Sequence, residues 1–508
     1  MPDILLTTLN ARYQHTAFGL RYLLANLAEL RPRALLLEFE CSDPPEEVAE
    51  SLLLHAPRIL GIGVYLWNVE ACTRLVRILK SVRPELIVVL GGPEVSFESD
   101  AQAIVQAADY LICGEGEKAF YTLCRTLLAG ERPVNKTIQA APIDLATLQL
   151  PYQEYAPDDL ANRLLYVERS RGCPYRCAFC LSALDKRVRL FPLHPFLQAM
   201  QELLERGARQ FKFVDRSFNL NMQACVAILE FFLQRASLGL FLHLEMVPER
   251  LPPPLRAILP RFPPGMLQLE IGIQSCNPLV QARIDRRQER TRSLANLQWI
   301  LQHTHVHVHT DLIVGLPGES LASFADGFDQ LARLNPHEIQ VGILKRLRGA
   351  PIQAETTAFG MVYNPDPPYD LLCNNLLDFA TLRRLKRFAR YWDLFGNSGR
   401  FLQVRRLLWQ QDSPFFSFLA LSDWLFAALQ RTHGIALRQQ FDWLYRGLTE
   451  GLGWEATQVR EALAKDFQGG ALREPPDCLR GVAPANRPQE KQSLPPRQAR
   501  HREPRQDG

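Results

Sequence analysis

The stretch Leu165–Cys180, LYVERSRGCPYRCAFC, places a short apolar strand shortly before three closely spaced cysteines. These are Cys173, Cys177 and Cys180, with the spacing C-x3-C-x2-C, and the next cysteine along the chain is Cys225. Cysteine thiolates hold iron–sulfur clusters, and a four-iron cluster usually takes four protein ligands. Three thiolates therefore predict a [4Fe-4S] cluster in which one iron stays open to a chelating ligand.

Zinc is the alternative metal for a group of cysteines. A structural zinc site is usually four-coordinate and takes its ligands as two closely spaced pairs. No second Cys or His pair stands at such a distance from the three cysteines. The spacing accordingly favours the cluster over zinc and over an incidental group of thiols.

Apolar runs alternate with helix-length segments on both sides of this stretch, a rhythm that predicts parallel sheets. From about residue 164 to 346 the expected strands are Leu165–Val167, Phe211–Val214, Leu240–Met246, Leu267–Ile273, Val306–Val314 and Glu338–Leu344. Six strands are too few for a closed eight-fold barrel and predict a partial (β/α)6 barrel. The cysteines follow its first strand, at the edge where barrel enzymes place their active sites.

Residues 1–132 show the same alternation and are expected to form a separate domain. The expected strands are Ile4–Leu6, Ala34–Leu37, Ile59–Tyr65, Leu86–Leu90 and Tyr110–Ile112. They predict a flavodoxin-like open parallel sheet with helices on both faces. Ligands of such sheets bind in the crevice at the carboxyl ends of the strands. Of the loops at that edge, the acid-rich Gly114–Glu117 is expected to be solvated rather than functional.

Composition predicts the organisation of the rest of the chain. Residues 133–163 carry several prolines and read as a linker between the first domain and the barrel at 164–346. Residues 360–470 are helical and aromatic in pattern, which predicts a helical C-terminal domain. Residues 475–508 are rich in Pro, Arg and Gln and predict a disordered tail, since they offer too little apolar surface to fold.

Length and charge narrow the function classes. The chain has 508 residues, which corresponds to about three domains at the usual ~150 residues each. Its 58 basic and 54 acidic residues leave a net charge of +4, which argues against a dedicated nucleic-acid binder. No apolar run reaches the ~18 residues of a membrane span. Eleven cysteines, an odd number, and the lack of a basic leader favour reduced thiols in the cytoplasm.

The cysteine spacing, with an aromatic residue before the third cysteine, resembles the radical S-adenosylmethionine (SAM) superfamily. Further matches fall in the expected order, in FVDRSFN at 213–219, HLE at 243–245, EIGIQS at 270–275 and DLIVGLPGE at 311–319. They are similar to strand ends in the branch that carries an N-terminal cobalamin-type domain, and LGGPE at 90–94 resembles that domain itself. The helical third domain resembles an uncharacterised C-terminal extension of one subgroup.

The resemblance implies that SAM chelates the open iron. One electron from the reduced cluster would then cleave SAM to methionine and a 5′-deoxyadenosyl radical, while the protein supplies binding and orientation. The candidate SAM-binding residues are Asp215, Glu245, Gln274, Ser275, Ile313 and Gly315. The implied partners are a small-molecule substrate and a reductant such as flavodoxin or ferredoxin.

The resemblance also implies cobalamin in the first domain. The candidate cobalamin-binding residues are Asn10, His15, Trp67, Asn68, Gly91 and Gly92. One departure matters: domains that supply a histidine to cobalt carry D-x-H-x-x-G, and no Asp stands two residues before His15. Some members of the branch bind cobalamin without that histidine. The alternative is a relict sheet that serves only as a lid or scaffold.

Three functions follow from these expectations. The first is methylation of an unactivated carbon, with cobalamin carrying the methyl group. The second is radical cyclisation, rearrangement or oxidation, with or without cobalamin, and the third is a non-catalytic SAM or redox sensor. RNA methylthiolation is disfavoured, because its enzymes carry a second three-cysteine site, whereas Cys41, Cys72 and Cys113 lie far apart in this sequence.

Four histidines alternate along residues 303–309. They would share one face if the whole segment were extended. A change from helix to strand is expected there, so of the four only His309 is expected to face the site.

Overall fold

The computed structural model describes residues 1–470 and 472–482. The chain divides into two compact units. The first unit comprises Met1–Arg216, Lys345–Gln353 and Asn364–Tyr369, and the second comprises Ser217–Leu344, Ala354–Tyr363 and the chain from Asp370 onward. The domain boundaries expected from the sequence stay predictions.

Parallel strands dominate the first unit. Its strands are β1 (Ile4–Asn10), β2 (Ala34–Glu40), β3 (Ile59–Gly63), β4 (Ile87–Gly91), β5 (Tyr110–Cys113), β6 (Thr137–Gln139), β7 (Leu165–Val167), β8 (Ser170–Arg171), β9 (Arg189–Leu190) and β10 (Gln210–Phe213). The first six form one parallel sheet in the order β2-β1-β3-β4-β5-β6. Apart from β6, this is the flavodoxin-like order, so the predicted fold is confirmed.

Helices cover both faces of this sheet. The helices of the first unit are α1 (Phe18–Ala25), α2 (Pro45–Leu53), α3 (Val69–Val82), α4 (Ala103–Ala107), α5 (Gly116–Leu128), α6 (Pro157–Asn162) and α7 (Leu193–Glu205). Every residue of β1 is buried. A strand buried on both faces is typical of a parallel sheet between two helical layers, which explains why its sequence does not alternate.

The segment predicted as a linker, 133–163, is partly regular structure. Within it, β6 pairs with β5, with Leu111 opposite Thr137, and α6 follows. The prediction of a plain connector was therefore wrong for these residues. The physical reason is that β6 is a three-residue edge strand without a buried residue, so it shows no apolar pattern.

The second unit continues the β/α alternation and ends in helices. Its strands are β11 (Phe241–Glu245), β12 (Leu267–Gln274), β13 (His307–Val314), β14 (Glu338–Ile343), β15 (Val362–Tyr363) and β16 (Leu371–Cys373). Its helices are α8 (Met222–Leu233), α9 (Pro253–Ile258), α10 (Pro278–Arg283), α11 (Arg290–His303), α12 (Leu321–Leu334), α13 (Phe379–Phe395), α14 (Leu402–Trp409), α15 (Pro414–Leu429), α16 (Leu437–Arg446) and α17 (Ala456–Gln468).

Each of the six strands that the sequence predicts for the partial barrel is present in the structure. Strands β7 and β10 pair in parallel within the first unit. Strands β11 to β14 pair in parallel, in sequence order, within the second unit. Along β12 the residues alternate between buried and partly exposed, so this strand packs its apolar face and leaves its polar face open.

The aromatic residues of the C-terminal helices form a core. Trp392 is almost fully buried, and its ring contacts Phe328, Phe388 and Phe418 at centroid distances of 4.9, 6.2 and 4.9 Å. Its indole N–H donates to the carbonyl of Ile339 at 2.8 Å, so α13 is fixed to β14. These rings stabilise the fold rather than line an open site.

The described chain continues into the segment predicted as a tail. Asp477–Leu479 form a helical turn, and Leu479 is fully buried. The disordered tail predicted from 475 therefore does not hold for these residues, because Leu479 gives this turn an apolar anchor. Residues 471 and 483–508 lie outside the described residues.

Among the residues that the structure describes, none of the helices combines the length and the apolar character needed to cross a membrane.

Replacing Trp392 with alanine should destabilise the protein by about 3–5 kcal/mol, because it removes a large buried ring and leaves a cavity. The urea unfolding midpoint, followed by circular dichroism, measures this loss. Trp67 is 54% exposed, so Trp67→Ala is the matched control and should cost about 1 kcal/mol or less. Equal midpoints for the two variants would contradict the assignment of Trp392 to the core.

Candidate functional site

The three cysteines lie in a loop of the first unit that is closed at its base. Strands β8 and β9 are antiparallel, with Arg171 opposite Arg189, so residues 172–188 form a loop between them. The N–H of Cys173 donates to the carbonyl of Asp185 at 2.8 Å. Gly172 has φ +88°, and a Cβ there would lie 2.2 Å from the carbonyl oxygen of Arg187, so only glycine fits. The closure holds the cysteine segment in place.

Two of the three thiols are shielded and one is more open. Cys173 and Cys177 are buried, while Cys180 is partly exposed. Within the described part of the chain, no three His, Cys, Asp or Glu side chains are grouped so that they could hold one metal ion, which leaves the zinc alternative without a ligand set there. A four-iron cluster binds each thiolate through a different iron, so its ligands do not converge on one point. The closed loop fits such a cluster.

Asp215, a predicted SAM-binding residue, lies beside the strand that leads into the cysteine loop. Its carboxylate accepts hydrogen bonds from the hydroxyl of Ser170 and from the N–H of Arg169, the latter at 3.0 Å. Burial raises the pKa of Asp215 to about 7, against the effect of these two hydrogen bonds. Both contacts hold the residues just before the cysteines, so in this structure Asp215 stabilises the segment that leads into the cysteine loop.

Arg169 is a residue that the sequence analysis missed. It is 7% exposed, and its Nε and Nη1 atoms are buried without a hydrogen-bond partner among the described residues. Burial lowers its pKa, and the charge of Asp215 offsets this only in part. A buried guanidinium with unused donors matches the geometry of a carboxylate or phosphate group. No sequence signal identified it, because a single arginine after a strand is common.

A cavity of about 310 Å³ lies in the first unit at the carboxyl end of its sheet. Strands β3, β4 and β5 and the loops that follow them line it together with α1 and α5, and the lining residues include Leu20, Gly61, Gly63, Tyr65, Gly91, Gly92, Gly114, Glu115, Gly116, Glu117, Phe120 and Arg171. We call this the glycine-lined cavity. The lining combines glycines with apolar side chains such as Leu20 and Phe120, so its walls suit a flat apolar ligand group. It fits the nucleotide portion of a cobalamin.

The predicted cobalamin residues have different surroundings. Gly91 and Gly92 line the glycine-lined cavity, whereas Asn68 is fully buried and its amide donates to Thr8 and to the carbonyls of Leu9 and Gly63. Asn68 therefore stabilises the sheet edge.

The other three predicted cobalamin residues also lie outside the cavity lining. Asn10 donates to Glu38 at 2.9 Å, and Trp67 is exposed and stacks on Tyr65. His15 lies 2.7 Å from the hydroxyl of Tyr166 through Nδ1. Burial lowers the pKa of His15, so its imidazole is neutral at pH 7, the form that ligates metals.

The two carboxylates of the acid-rich loop Gly114–Glu117 are paired with arginines, contrary to the expectation that the loop is only solvated. Glu117 is 4% exposed and lies 2.7 Å from Arg171 Nη2. Glu115 accepts from Arg189 Nη1 at 3.0 Å. The loop thus binds both arginines at the base of the cysteine loop. Its partners lie more than 50 residues away in the sequence, which is why composition alone suggested solvent.

In the second unit, strand β11 and its neighbour β12 carry a polar row on their open face. Glu245, a predicted SAM-binding residue, is opposite Glu270 in the register of these strands. His243 Nε2 lies 2.8 Å from Glu270 Oε2. The row combines carboxylates with an imidazole, so it can hold polar groups and move protons.

The other predicted SAM-binding residues of this unit differ in their roles. Gln274 ends β12 with φ +69°, and its Oε1 is buried without a hydrogen-bond partner among the described residues. Ser275 is buried and its hydroxyl donates to Glu319, so it is already used within the fold. Ile313 is partly exposed on β13. Gly315 allows close approach, but by Leu371: a Cβ at Gly315 would lie 2.5 Å from that side chain.

Of the four alternating histidines, two lie on β13. Helix α11 ends at His303, so the predicted change from helix to strand is observed. His307 is buried against Glu338 at 3.0 Å. His309 Nε2 lies 3.2 Å from Asp311 Oδ1, at ion-pair distance but not aligned for a hydrogen bond. Burial alone would lower the pKa of His309, but Asp311, Glu338 and Glu270 outweigh it and raise the pKa to about 9.

Three family models match the chain in the order of its predicted domains. Residues 4–124 match the B12 binding domain, and residues 167–331 match the radical SAM superfamily. Residues 357–503 match a family described as a protein of unknown function, DUF4080.

Curated relatives include two methyltransferases. The chain is 26% identical over 330 residues to 2-(S-pantetheinyl)-carbapenam-3-carboxylate methyltransferase of Streptantibioticus cattleyicolor, covering 58% of this chain and 48% of that protein. It is 25% identical over 348 residues to the cobalamin-dependent radical SAM methyltransferase TokK of Streptomyces tokunonensis, covering 61% and 50%. The chain thus matches about half the length of these relatives.

Two solved structures share the fold over most of the chain. The radical SAM methyltransferase TsrM from Kitasatospora setae, with cobalamin and a [4Fe-4S] cluster bound, gives a TM-score of 0.61 at 14% identity, covering 92% of this chain and 99% of that one. The cobalamin-dependent radical enzyme OxsB, with aqua-cobalamin and SAM bound, gives 0.62 at 13% identity, covering 92% and 79%.

The raised pKa of His309 predicts a pH-dependent stability. The pKa of His309 is 6.5 in the unfolded chain and about 9 in the folded protein, so the folded state binds the proton more tightly. The stabilisation of the folded state by protonated His309 is therefore complete below pH 6.5 and is lost as pH rises through 9. Relative to His309→Gln, the wild type should lose up to about 3 kcal/mol over this window. Urea denaturation across the window measures it.

The same contact can be tested directly by an NMR titration of His309. In Asp311→Asn the titration should move toward 6.5, because a neighbouring negative charge is removed. An unchanged midpoint in this variant, or parallel pH profiles for wild type and His309→Gln, would contradict the assignment.

Proposed function

We propose that this chain, which carries a radical SAM domain after a B12-binding domain, is a cobalamin-dependent radical SAM enzyme that methylates an unactivated carbon of a small molecule. The observation that carries the proposal is the cysteine loop: its base is closed by β8 and β9, and Arg171 at that base also lines the glycine-lined cavity. One unit thus brings a cluster-type loop and a cobalamin-type cavity together.

Cys173, Cys177 and Cys180 would hold the cluster. The spacing leaves one iron for SAM, whose amino acid portion carries a carboxylate. Arg169, four residues before Cys173, has buried donors without a partner among the described residues, and it fits that carboxylate. Asp215 would stabilise the segment between Arg169 and Cys173, because it accepts hydrogen bonds from the Ser170 hydroxyl and the Arg169 N–H.

The glycine-lined cavity would hold the nucleotide portion of cobalamin. Gly91, Gly92 and Tyr65 contribute to its walls. His15 is neutral at pH 7 and is oriented by Tyr166, so it suits a metal-ligand role although the D-x-H-x-x-G motif is missing.

When bound, these groups would supply reductive cleavage of one SAM to methionine and 5′-deoxyadenosine, with hydrogen taken from the substrate, and methyl transfer from a second SAM, leaving S-adenosylhomocysteine. The chain's own residues bind and orient the reactants. In the second unit, His243 with Glu270 and His309 with Asp311 would hold polar groups of the substrate.

Methyl transfer is favoured over radical cyclisation or oxidation by two relatives that match more than half of this chain and are described as methyltransferases. Each turnover would take two electrons from a reductant such as flavodoxin or ferredoxin. One electron cleaves the first SAM, and the other is needed because the methyl group leaves the second SAM as a cation and joins a substrate radical. Thiolates that must stay reduced for a cluster support a cytoplasmic location.

Product analysis tests the proposal. Protein reconstituted anaerobically with iron, sulfide and cobalamin should convert SAM to 5′-deoxyadenosine and S-adenosylhomocysteine under a low-potential reductant. Alanine at any of Cys173, Cys177 or Cys180 should abolish the 5′-deoxyadenosine, since each thiolate binds its own iron. Cys373, partly exposed in the second unit, provides the control variant Cys373→Ala, which should keep wild-type turnover.

The outcomes separate the three functions. 5′-Deoxyadenosine without S-adenosylhomocysteine would favour cyclisation, rearrangement or oxidation. Neither product above background would favour a sensor. Full turnover by any of the three cysteine variants would refute the cluster assignment.

Arg169→Gln should weaken SAM binding to the cluster-loaded protein by roughly 10–100-fold, the usual effect of losing a hydrogen bond to a charged group. The change in the electron paramagnetic resonance spectrum on SAM addition reports the binding. Arg209, which donates to the carbonyls of Leu204 and Ala208, gives the matched variant Arg209→Gln with unchanged affinity expected. Equal affinities for wild type and Arg169→Gln would rule out this contact.

A further inference from the structure

Arg171 belongs both to the cysteine loop and to the wall of the glycine-lined cavity. It stands two residues before Cys173, and its guanidinium is held on several sides. Nη2 lies 2.7 Å from Glu117 and 2.9 Å from Glu168, and the group lies over the ring of Tyr22 at 4.8 Å. A movement of Arg171 would therefore affect both the base of the cysteine loop and the wall of the glycine-lined cavity.

The opposite strand of the loop base is anchored to the same wall. Arg189, the register partner of Arg171, donates to Glu115 and to the carbonyl of Ile143, each at 3.0 Å. Glu115 and Glu117 lie at the start of α5 and both line the cavity. Both strands of the loop base thus contact one segment of the cavity wall.

Glu117, a lining residue of the glycine-lined cavity, carries an unused acceptor. It is 4% exposed, and its Oε2 is buried without a hydrogen-bond partner among the described residues. A buried carboxylate oxygen without a donor is costly. A hydroxyl or amide N–H of a ligand in the cavity would supply that donor, and it would change the charge balance between Glu117 and Arg171.

We propose that Arg171 is a positioning residue that couples filling of the glycine-lined cavity by the nucleotide portion of cobalamin to the geometry of the cysteine loop. This inference rests on the proposed function, since it takes the cavity as part of the cobalamin site. Coupling between two sites is reciprocal. Bound cobalamin stabilises the loop in its cluster-binding form, and a loaded cluster raises the affinity for cobalamin.

The test compares the dissociation constant of hydroxocobalamin for cluster-loaded and cluster-stripped protein, measured by quenching of tryptophan fluorescence. In the wild type, cluster loading should tighten binding about 5-fold or more, the lower end of usual coupling strengths. In Arg171→Lys the ratio of the two dissociation constants should fall to about one, because lysine lacks the planar fork that spans two carboxylates. The ratio should also fall to about one in Glu117→Gln, because this variant lacks one of those carboxylates. The electron paramagnetic resonance spectrum of the reduced cluster should shift on cobalamin addition in the wild type but not in these two variants.

Two controls make the result specific. Cobinamide, which lacks the nucleotide, should bind the wild type with a ratio of about one. Arg31 forms an ion pair with Glu154 in the same unit, away from the cavity lining, so Arg31→Lys should keep the wild-type ratio. A purely structural role of Arg171 would weaken both affinities and leave their ratio unchanged.

The failures of the two proposals are distinguishable. If the wild type binds cobalamin and loads its cluster but shows a ratio of one, or if both variants keep the wild-type ratio, the coupling is overturned and the proposed function stands. If the wild type does not bind cobalamin at all, the cobalamin part of the proposed function fails and the coupling falls with it. Circular dichroism verifies that each variant is folded, and the isosteric Glu117→Gln still decides the question if Arg171→Lys misfolds.

Discussion

The ion pairs between Arg171 and the two carboxylates of Glu117 and Glu168 are the interaction on which the site depends. Burial alone would lower the pKa of Arg171, but the two carboxylates outweigh it and raise that pKa above its usual value. Glu168 is buried, and burial raises its pKa despite the neighbouring arginine. Buried ion pairs of this kind add little net stability, because desolvation offsets the attraction. We expect their main effect to be specificity: they fix one position of the loop base.

The two units contribute different chemistry. The first unit carries the cysteine loop, a buried arginine with unused donors and an apolar cavity walled by glycines. The second unit carries a sheet whose strands β12 and β13 have a buried apolar face, while Glu270, His309 and Asp311 are among the partly exposed residues of the other face. The two faces of this sheet differ because successive side chains of a β-strand point to opposite faces. One strand therefore contributes to a core on one face and to a polar surface on the other.

Several polar residues serve the fold rather than a ligand. Asn68 satisfies three acceptors at the edge of the first sheet, and Ser275 binds Glu319 within the second unit. Burial raises the pKa of Glu319 to about 7, so the carboxyl group is neutral part of the time at pH 7. A polar side chain at a strand end is therefore not by itself evidence of a ligand, since buried backbone groups need partners as well.

The sequence by itself determined the fold class, the positions of the apolar strands of the two sheets and the cysteine loop, but not the edge strand β6. These features are local: apolar runs, helical periodicity and the C-x3-C-x2-C spacing are each encoded within a short window. Only the tertiary structure decided that the acidic loop Gly114–Glu117 binds Arg171 and Arg189, that Arg169 keeps unused donors in a buried position, and that Asn68 is a core residue. The reason is that partners and burial depend on residues far apart in the chain, and no local pattern carries that information.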